Sequence, residues 1–357
     1  MVWRQSILGK IGTQCQSLSE LYPRAYRLGA ATFAIIGFVY LLLFPCMVFI
    51  SVYSLYAALL KSQTVVWSHV LIWLATAAFS ILVSYRIIRF KPELPAGPVL
   101  NMDAAPLLHQ LVEDLLKHFC STRVDRIALS NNFGLDIQKT PRWALPVWST
   151  NTLVIGLPMI QCLSVSQFQC ALARRLGQFS KRYNFFDNWL YELRNIWPQY
   201  CINTRKYGFG YQPIRWFFSV YAPIYKVITF PVARFDELAA DDYAMEVFSD
   251  EQVLDTITTQ MVCDRYLLDK YWPVIRKIAS NGKHAINEYH SGMASVLRIG
   301  LQGDKVDQWL AKTLSAEPHW DDATPSLARR VENIGHTHAC MDAISPESAA
   351  SVYLRKV

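Results

Sequence analysis

The chain has 357 residues, of which 52% are hydrophobic and 18% charged, with a net charge of +7, whereas an average soluble domain is about 25% charged. Two stretches, Leu28 to Leu60 and Ser62 to Tyr85, contain no Asp, Glu, Lys or Arg, and the other 300 residues are 21% charged. This pattern fits a membrane anchor joined to an ordinary folded domain and excludes a disordered chain, a small disulfide scaffold and a many-span transporter.

A helix needs about 20 apolar residues to cross a hydrocarbon core of roughly 30 Å, and both uncharged stretches pass that test. The first is longer than required, and Pro45, Ser51, Tyr53 and Ser54 predict that its last part kinks or leaves the core. Arg4, Lys10, Arg24 and Arg27 precede the first stretch, Lys61 lies between the two, and Arg86, Arg89 and Lys91 follow the second. Basic residues are retained on the inner side, so both ends of the hairpin and everything after it are expected in the cytoplasm. The expected organisation is a cytoplasmic segment over 1–27, a transmembrane hairpin over 28–90, a Pro-rich linker over 91–100, a folded domain over 101–345 and a tail over 346–357.

The domain opens with a helix over Pro106 to Phe119, whose apolar face is read as Leu107, Leu108, Leu111, Leu115 and Phe119. Three short β-prone runs follow, Arg126 to Leu129, Gly134 to Gln138 and Thr152 to Ile155, separated by turn residues. Ser164 and Gln167 form a capping-box pattern that starts a helix running to about Ser180. Two arginines and a glutamine, Arg174, Arg175 and Gln178, lie in it beside the apolar Phe168, Leu172, Leu176 and Phe179. Further helices are predicted over Asn184 to Ile202, Trp216 to Phe230, Asp236 to Phe248, Glu251 to Tyr271, Ile286 to Gly300, Lys305 to Leu314 and Ser326 to Ile334. Pro223 and Lys226 mark the aromatic Trp216 to Phe230 stretch as a core or membrane-surface helix rather than a third span. The fold class is mainly α with a small β-sheet (α+β).

The eight cysteines contain no CxxC pair and the eight histidines no i,i+4 pair. Neither a zinc ribbon nor a P-loop or nucleophile elbow is present, and the modest charge without basic blocks argues against nucleic acid as a partner.

The segment Ala-Leu-Ala-Arg-Arg-Leu-Gly-Gln-Phe (Ala171 to Phe179) resembles the catalytic helix of HtpX-like membrane zinc metallopeptidases, gluzincins related to the CAAX prenyl endopeptidases, in which it reads Ala-His-Glu-Leu-Gly-His-Phe. Ala173, Leu176, Gly177 and Phe179 match. Arg174 and Gln178 stand at the two zinc-ligating His positions and Arg175 at the general-base Glu. Arg234 to Ala244 resembles the family's second motif, ExxAD, with Glu237 at the third zinc ligand and Asp241 as the following Asp; Arg234 and Asp241 are read as supporting residues. Asn188 to Arg194 and Asp322 to Arg330 resemble two further family segments, the latter with Thr324 at a usual His.

The resemblance implies a zincin-like metallopeptidase domain behind a hairpin in a bacterial inner membrane. The departures imply loss of activity. A guanidinium has no lone pair to give a metal, and at the base position it cannot take a proton from a zinc-bound water. No cofactor is therefore expected, although the family uses zinc. The reading is a membrane-anchored pseudopeptidase that binds a polypeptide or membrane partner, with Thr152, Leu153, Val154 and Ile155 as the edge strand to which an extended peptide could add. The alternative is an active zinc endopeptidase with non-standard ligands. Because Glu237 would be left as a buried carboxylate without its metal, Arg174 or Arg175 is expected to form an ion pair with Glu237 or Asp241.

Overall fold

The computed structural model describes residues 2–61, 67–89, 97–121, 123–141, 149–180, 185–202, 209–280, 292–318, 322–341, 344 and 347–355. Most of the expected linker and part of the Ile286 to Gly300 helix lie outside these residues. The described fold is mainly helical with a small mixed sheet, and the chain divides into two compact units.

The first unit comprises Met1–Leu94, Thr140–Ser149 and Trp189–Val232. It begins with α1 (Val2–Leu21), a helix the sequence did not announce because it has no clear apolar stripe. Helices α2 (Pro23–Lys61) and α3 (Trp67–Ile88) are the two long apolar helices near the N-terminus. Pro45 lies inside α2 without ending it. Most of the apolar side chains of both helices are exposed, including Phe49 at 75% and Trp67 at 72%.

The second unit comprises Pro95–Lys139, Thr150–Asn188 and Ala233–Val357. Its sheet contains β1 (Val99–Leu100), β2 (Arg126–Ser130), β3 (Leu135–Pro141) and β4 (Ser149–Gly156) in the spatial order β1-β2-β4-β3. β1 pairs antiparallel with β2, and β2 pairs parallel with β4 in the register Ile127 to Leu153 and Leu129 to Ile155. Thr152 to Ile155 is therefore central in the sheet, which corrects the expectation of an edge. The burial of all four residues explains the position: Leu153 and Ile155 are fully enclosed and Thr152 and Val154 nearly so, as in a strand covered on both faces. The outer strand on that side is β3.

Helix α4 (Pro106–His118) follows β1, and its buried face is Leu108, Val112 and Leu115. Leu107 is exposed, so the apolar stripe is rotated from the predicted one. After the sheet come α5 (Leu157–Cys162) and α6 (Val165–Gln178), which begins with the predicted capping box between Ser164 and Gln167. The Gln167 amide is further tied to Asp255 at 2.8 Å. Helix α7 (Phe185–Ile202) and a turn of 3-10 helix lead to α8 (Gln212–Met245). The sequence predicted two helices where α8 is one. Pro223 and Pro231 each remove one ladder hydrogen bond, but buried neighbours such as Tyr225, Val227 and Phe230 hold the helical course by packing.

The remaining helices are α9 (Asp250–Tyr266), which continues through one π-helical turn into α10 (Trp272–Ser280), then α11 (Met293–Gly300), α12 (Asp304–Leu314), α13 (Leu327–Ile334) and α14 (Ala349–Tyr353). The segment read as a tail ends in the core. Ala349 and Tyr353 belong to the cluster formed by α4, the sheet and α6, and the Ala349 N–H donates to the Leu163 carbonyl at 2.9 Å.

Candidate functional site

The site lies where α6 meets the last part of α8. Gly177 sets that approach: a methyl group on its Cα would come within 2.7 Å of the Tyr243 Cβ, so a larger residue would force the helices apart. This contact gives a packing reason for the glycine in the Leu-Gly-Gln frame.

Five predicted site residues gather here. Arg174 is enclosed, and its guanidinium donates from Nε to Asp241 Oδ1 at 2.5 Å and from Nη2 to Glu237 Oε2. Arg175 donates from Nη1 to Glu237 Oε1 at 3.2 Å and to Gln178 Oε1 at 2.6 Å. The expected ion pair between the arginines of one helix and the carboxylates of the other is thus present, and both arginines take part. Glu237, Asp241 and Gln178 are all buried. The Gln178 Nε2 has no hydrogen-bond partner among the described residues.

Arg330 completes the cluster and was not among the predicted site residues. From α13 it donates Nε to Asp241 Oδ2 at 2.8 Å and Nη2 to Asp241 Oδ1. The signal was available, because Arg330 is the arginine that ends the Thr-Pro-Ser-Leu-Ala-x-Arg segment. The Arg234 Nε donates to the Asp322 carbonyl at 3.0 Å. Thr324 is exposed, and its N–H donates to the Asp322 side chain at 3.0 Å.

Arg175 also reaches the outer strand. Its Nε donates to the Leu135 carbonyl of β3 at 2.9 Å, and its Nη2 is 3.6 Å from Asp136 Oδ1. The same Asp136 oxygen accepts the Ile137 N–H at 2.9 Å. Gly134, just before β3, bonds through its carbonyl to the Gly156 N–H of β4. Main-chain groups alternate sides along a strand of an antiparallel pair, which puts the Leu135 carbonyl and Ile137 N–H on the side facing away from β4. Side chains of this protein therefore cap two outer main-chain groups of the edge strand. Nothing in the local sequence identified Asp136 in this role.

The electrostatics follow from burial and pairing. Burial pushes the Glu237 carboxyl up, but the Arg174, Arg175 and Arg330 guanidiniums together outweigh it and hold the pKa at about 2. Burial opposes the charge on Arg174, and Glu237 and Asp241 more than compensate, so its pKa is raised. Arg330 moves the other way because burial and the like charge of Arg174 outweigh Asp241. Burial pushes the neighbouring Cys170 thiol up to about 11, despite its bond with Thr256 and the charge of Arg174, which makes it a poor nucleophile at neutral pH.

Compared with protein-family models, curated proteins and solved structures, the chain has no match.

The residues at the resembled positions do not fit zinc. Arg174 and Arg175 offer no lone pair, the Gln178 carbonyl oxygen is taken by Arg175, and both Glu237 oxygens accept from guanidiniums. Among the described residues, no group of three or more His, Cys, Asp or Glu is placed to hold a metal ion. Glu237, held at about 2, is also a feeble base at neutral pH. What the arrangement does chemically is cross-link three helices through charge-assisted hydrogen bonds.

Proposed function

We propose that this protein is a membrane-anchored pseudopeptidase related to the HtpX-like zinc metallopeptidases, without zinc and without hydrolytic activity. The observation that carries this reading is that Arg174, at a zinc-ligand position of the resembled motif, bonds to both Glu237 and Asp241 of the second motif. A direct ion pair then takes the place of a metal cross-link between the same two helices. The apolar helices α2 and α3 anchor the chain, with both termini and the second unit in the cytoplasm; the basic residues flanking the two uncharged stretches support that orientation.

A partner polypeptide is the role that fits a fold of this kind after catalysis is gone. The strand open to an added peptide is β3, and a peptide pairing along Leu135 to Ile137 has to displace Arg175 from the Leu135 carbonyl. The test of the reading is metal analysis of the purified full-length chain, together with cleavage of unfolded casein in the presence of added zinc. The expected result is substoichiometric zinc and no cleavage. One zinc per chain, or cleavage abolished by a chelator, would overturn the proposal and favour an active peptidase with other ligands.

A further inference from the structure

The hairpin is not the whole apolar surface of the first unit. The start of α8 is fixed beside the end of α3: the Tyr211 hydroxyl donates to the Arg86 carbonyl at 2.8 Å, and a methyl on Gly210 would lie 3.3 Å from the Leu82 and Arg86 side chains. From there α8 runs along α2 in the opposite direction. Tyr40 donates to the Pro213 carbonyl at 2.9 Å, Tyr221 to the Phe33 carbonyl at 2.7 Å and Tyr26 to the Ile228 carbonyl at 2.6 Å. The inward face of α8 is an aromatic stack in which Phe218, Tyr221 and Tyr225 pack with Phe33 and Trp197.

Another face of α8 is bare. Trp216 is 82% exposed and Val220, one turn later, 51%. Alongside, α2 exposes Ile35, Ile36 and Val39. The Tyr40–Pro213 and Tyr221–Phe33 hydrogen bonds place Trp216 and Val220 at the level of these exposed residues, on the part of α2 nearer its first residue.

Lengths decide how much of this surface a bilayer covers. The uncharged run of α2, Leu28 to Leu60, is 33 residues, or about 50 Å of helix at 1.5 Å per residue. That exceeds a hydrocarbon core of roughly 30 Å but matches the 40–45 Å that includes the headgroup layers once the helix tilts by about 30°. Helix α3, with 22 residues, is about 33 Å long and crosses the core once. Its Arg86 end, and the start of α8 bonded to it, then lie at headgroup level. Arg86, Arg89 and Arg215 place positive charge there, and tryptophan favours that layer.

The geometry points to a third membrane contact in this protein: the Trp216 and Val220 face of α8 lies in the interfacial layer of the bilayer, against phospholipid. This contact rests on reading the hairpin as the anchor, and the test separates the two. The full-length chain is placed in nanodiscs of phosphatidylcholine and phosphatidylglycerol, with photoreactive p-benzoylphenylalanine substituted singly for Phe49, Trp216, Val220 or Ile299. Phe49 and Ile299 are exposed apolar residues of the hairpin and of the second unit. After irradiation, mass spectrometry counts lipid adducts. The expected result is adducts at 49 and at 216 or 220, with at least threefold fewer at 299. Adducts at 49 but at neither 216 nor 220 would overturn this inference and leave the anchor standing. No adduct at 49 would overturn both, and labelling at 299 equal to that at 216 would overturn the claim that this face is set against lipid.

Discussion

Replacing Arg174 by Met removes a side chain that bonds both Glu237 and Asp241 of α8, while keeping much of its apolar stem. The side chains involved are 11%, 8% and 0% exposed for Arg174, Glu237 and Asp241, so water does little to stabilise the charges left behind. Breaking a buried pair by deleting one partner costs about 3–5 kcal/mol. Here Arg175 still reaches Glu237 at 3.2 Å and Arg330 still holds Asp241, which places the expected loss near the lower limit, at about 3 kcal/mol. The depressed Glu237 pKa has the same sense: Arg174, together with Arg175 and Arg330, holds this carboxyl ionised against the cost of its burial. The assay is urea unfolding of the full-length chain in detergent, followed by tryptophan fluorescence, for wild type, Arg174→Met, Glu237→Gln and the double variant. The double variant is expected to be more stable than the sum of the single losses implies, by about 2 kcal/mol. Additivity within about 0.5 kcal/mol, or an Arg174→Met midpoint unchanged from wild type, would refute the idea that this pair joins the two helices.

The same carboxylate sets a pH dependence. A group whose folded pKa is depressed contributes stability above its unfolded value and loses it on acidification, so the Glu237 contribution is complete above about pH 5 and fades as pH falls from 4.5 to about 2; Glu237→Gln should flatten acid unfolding in that window. Gly177→Ala should cost about 1–3 kcal/mol through the clash with Tyr243, seen as a lower urea midpoint. Zinc binding measured by calorimetry should require Arg174→His, Arg175→Glu and Gln178→His together, and uptake by Gln178→His alone would count against that. A reporter fused after Val357 should be active in the cytoplasm.

Local signals were legible in the sequence and non-local ones were not. The capping box at Ser164, the serine at Ser326 that begins α13 and the three short strands could be read directly, because each depends on residues a few positions apart. The two long apolar helices and the ion pair between Arg174 and Glu237 were also legible, the latter because a buried carboxylate demands a partner. Strand order depends on pairing across the chain, so local sequence does not show that β3 lies outside β4. The local cost of Pro223 is legible in the sequence, and packing overrides it in α8. Arg330 was visible in a motif, but its target, Asp241, appears only when α13 folds back onto α8.

Arg175 also bears on how this protein could change over time. It caps a carbonyl of the edge strand, steadies Gln178 and neutralises Glu237. Replacing it alone by Glu would uncover the strand edge and bring another carboxylate toward Glu237 and Asp136, with like charges crowded in a buried place. Such a variant is less stable than the present chain, so an exchange at this residue is tolerated only when the groups around it change as well. The latch that stabilises the fold thereby narrows the changes this position accepts.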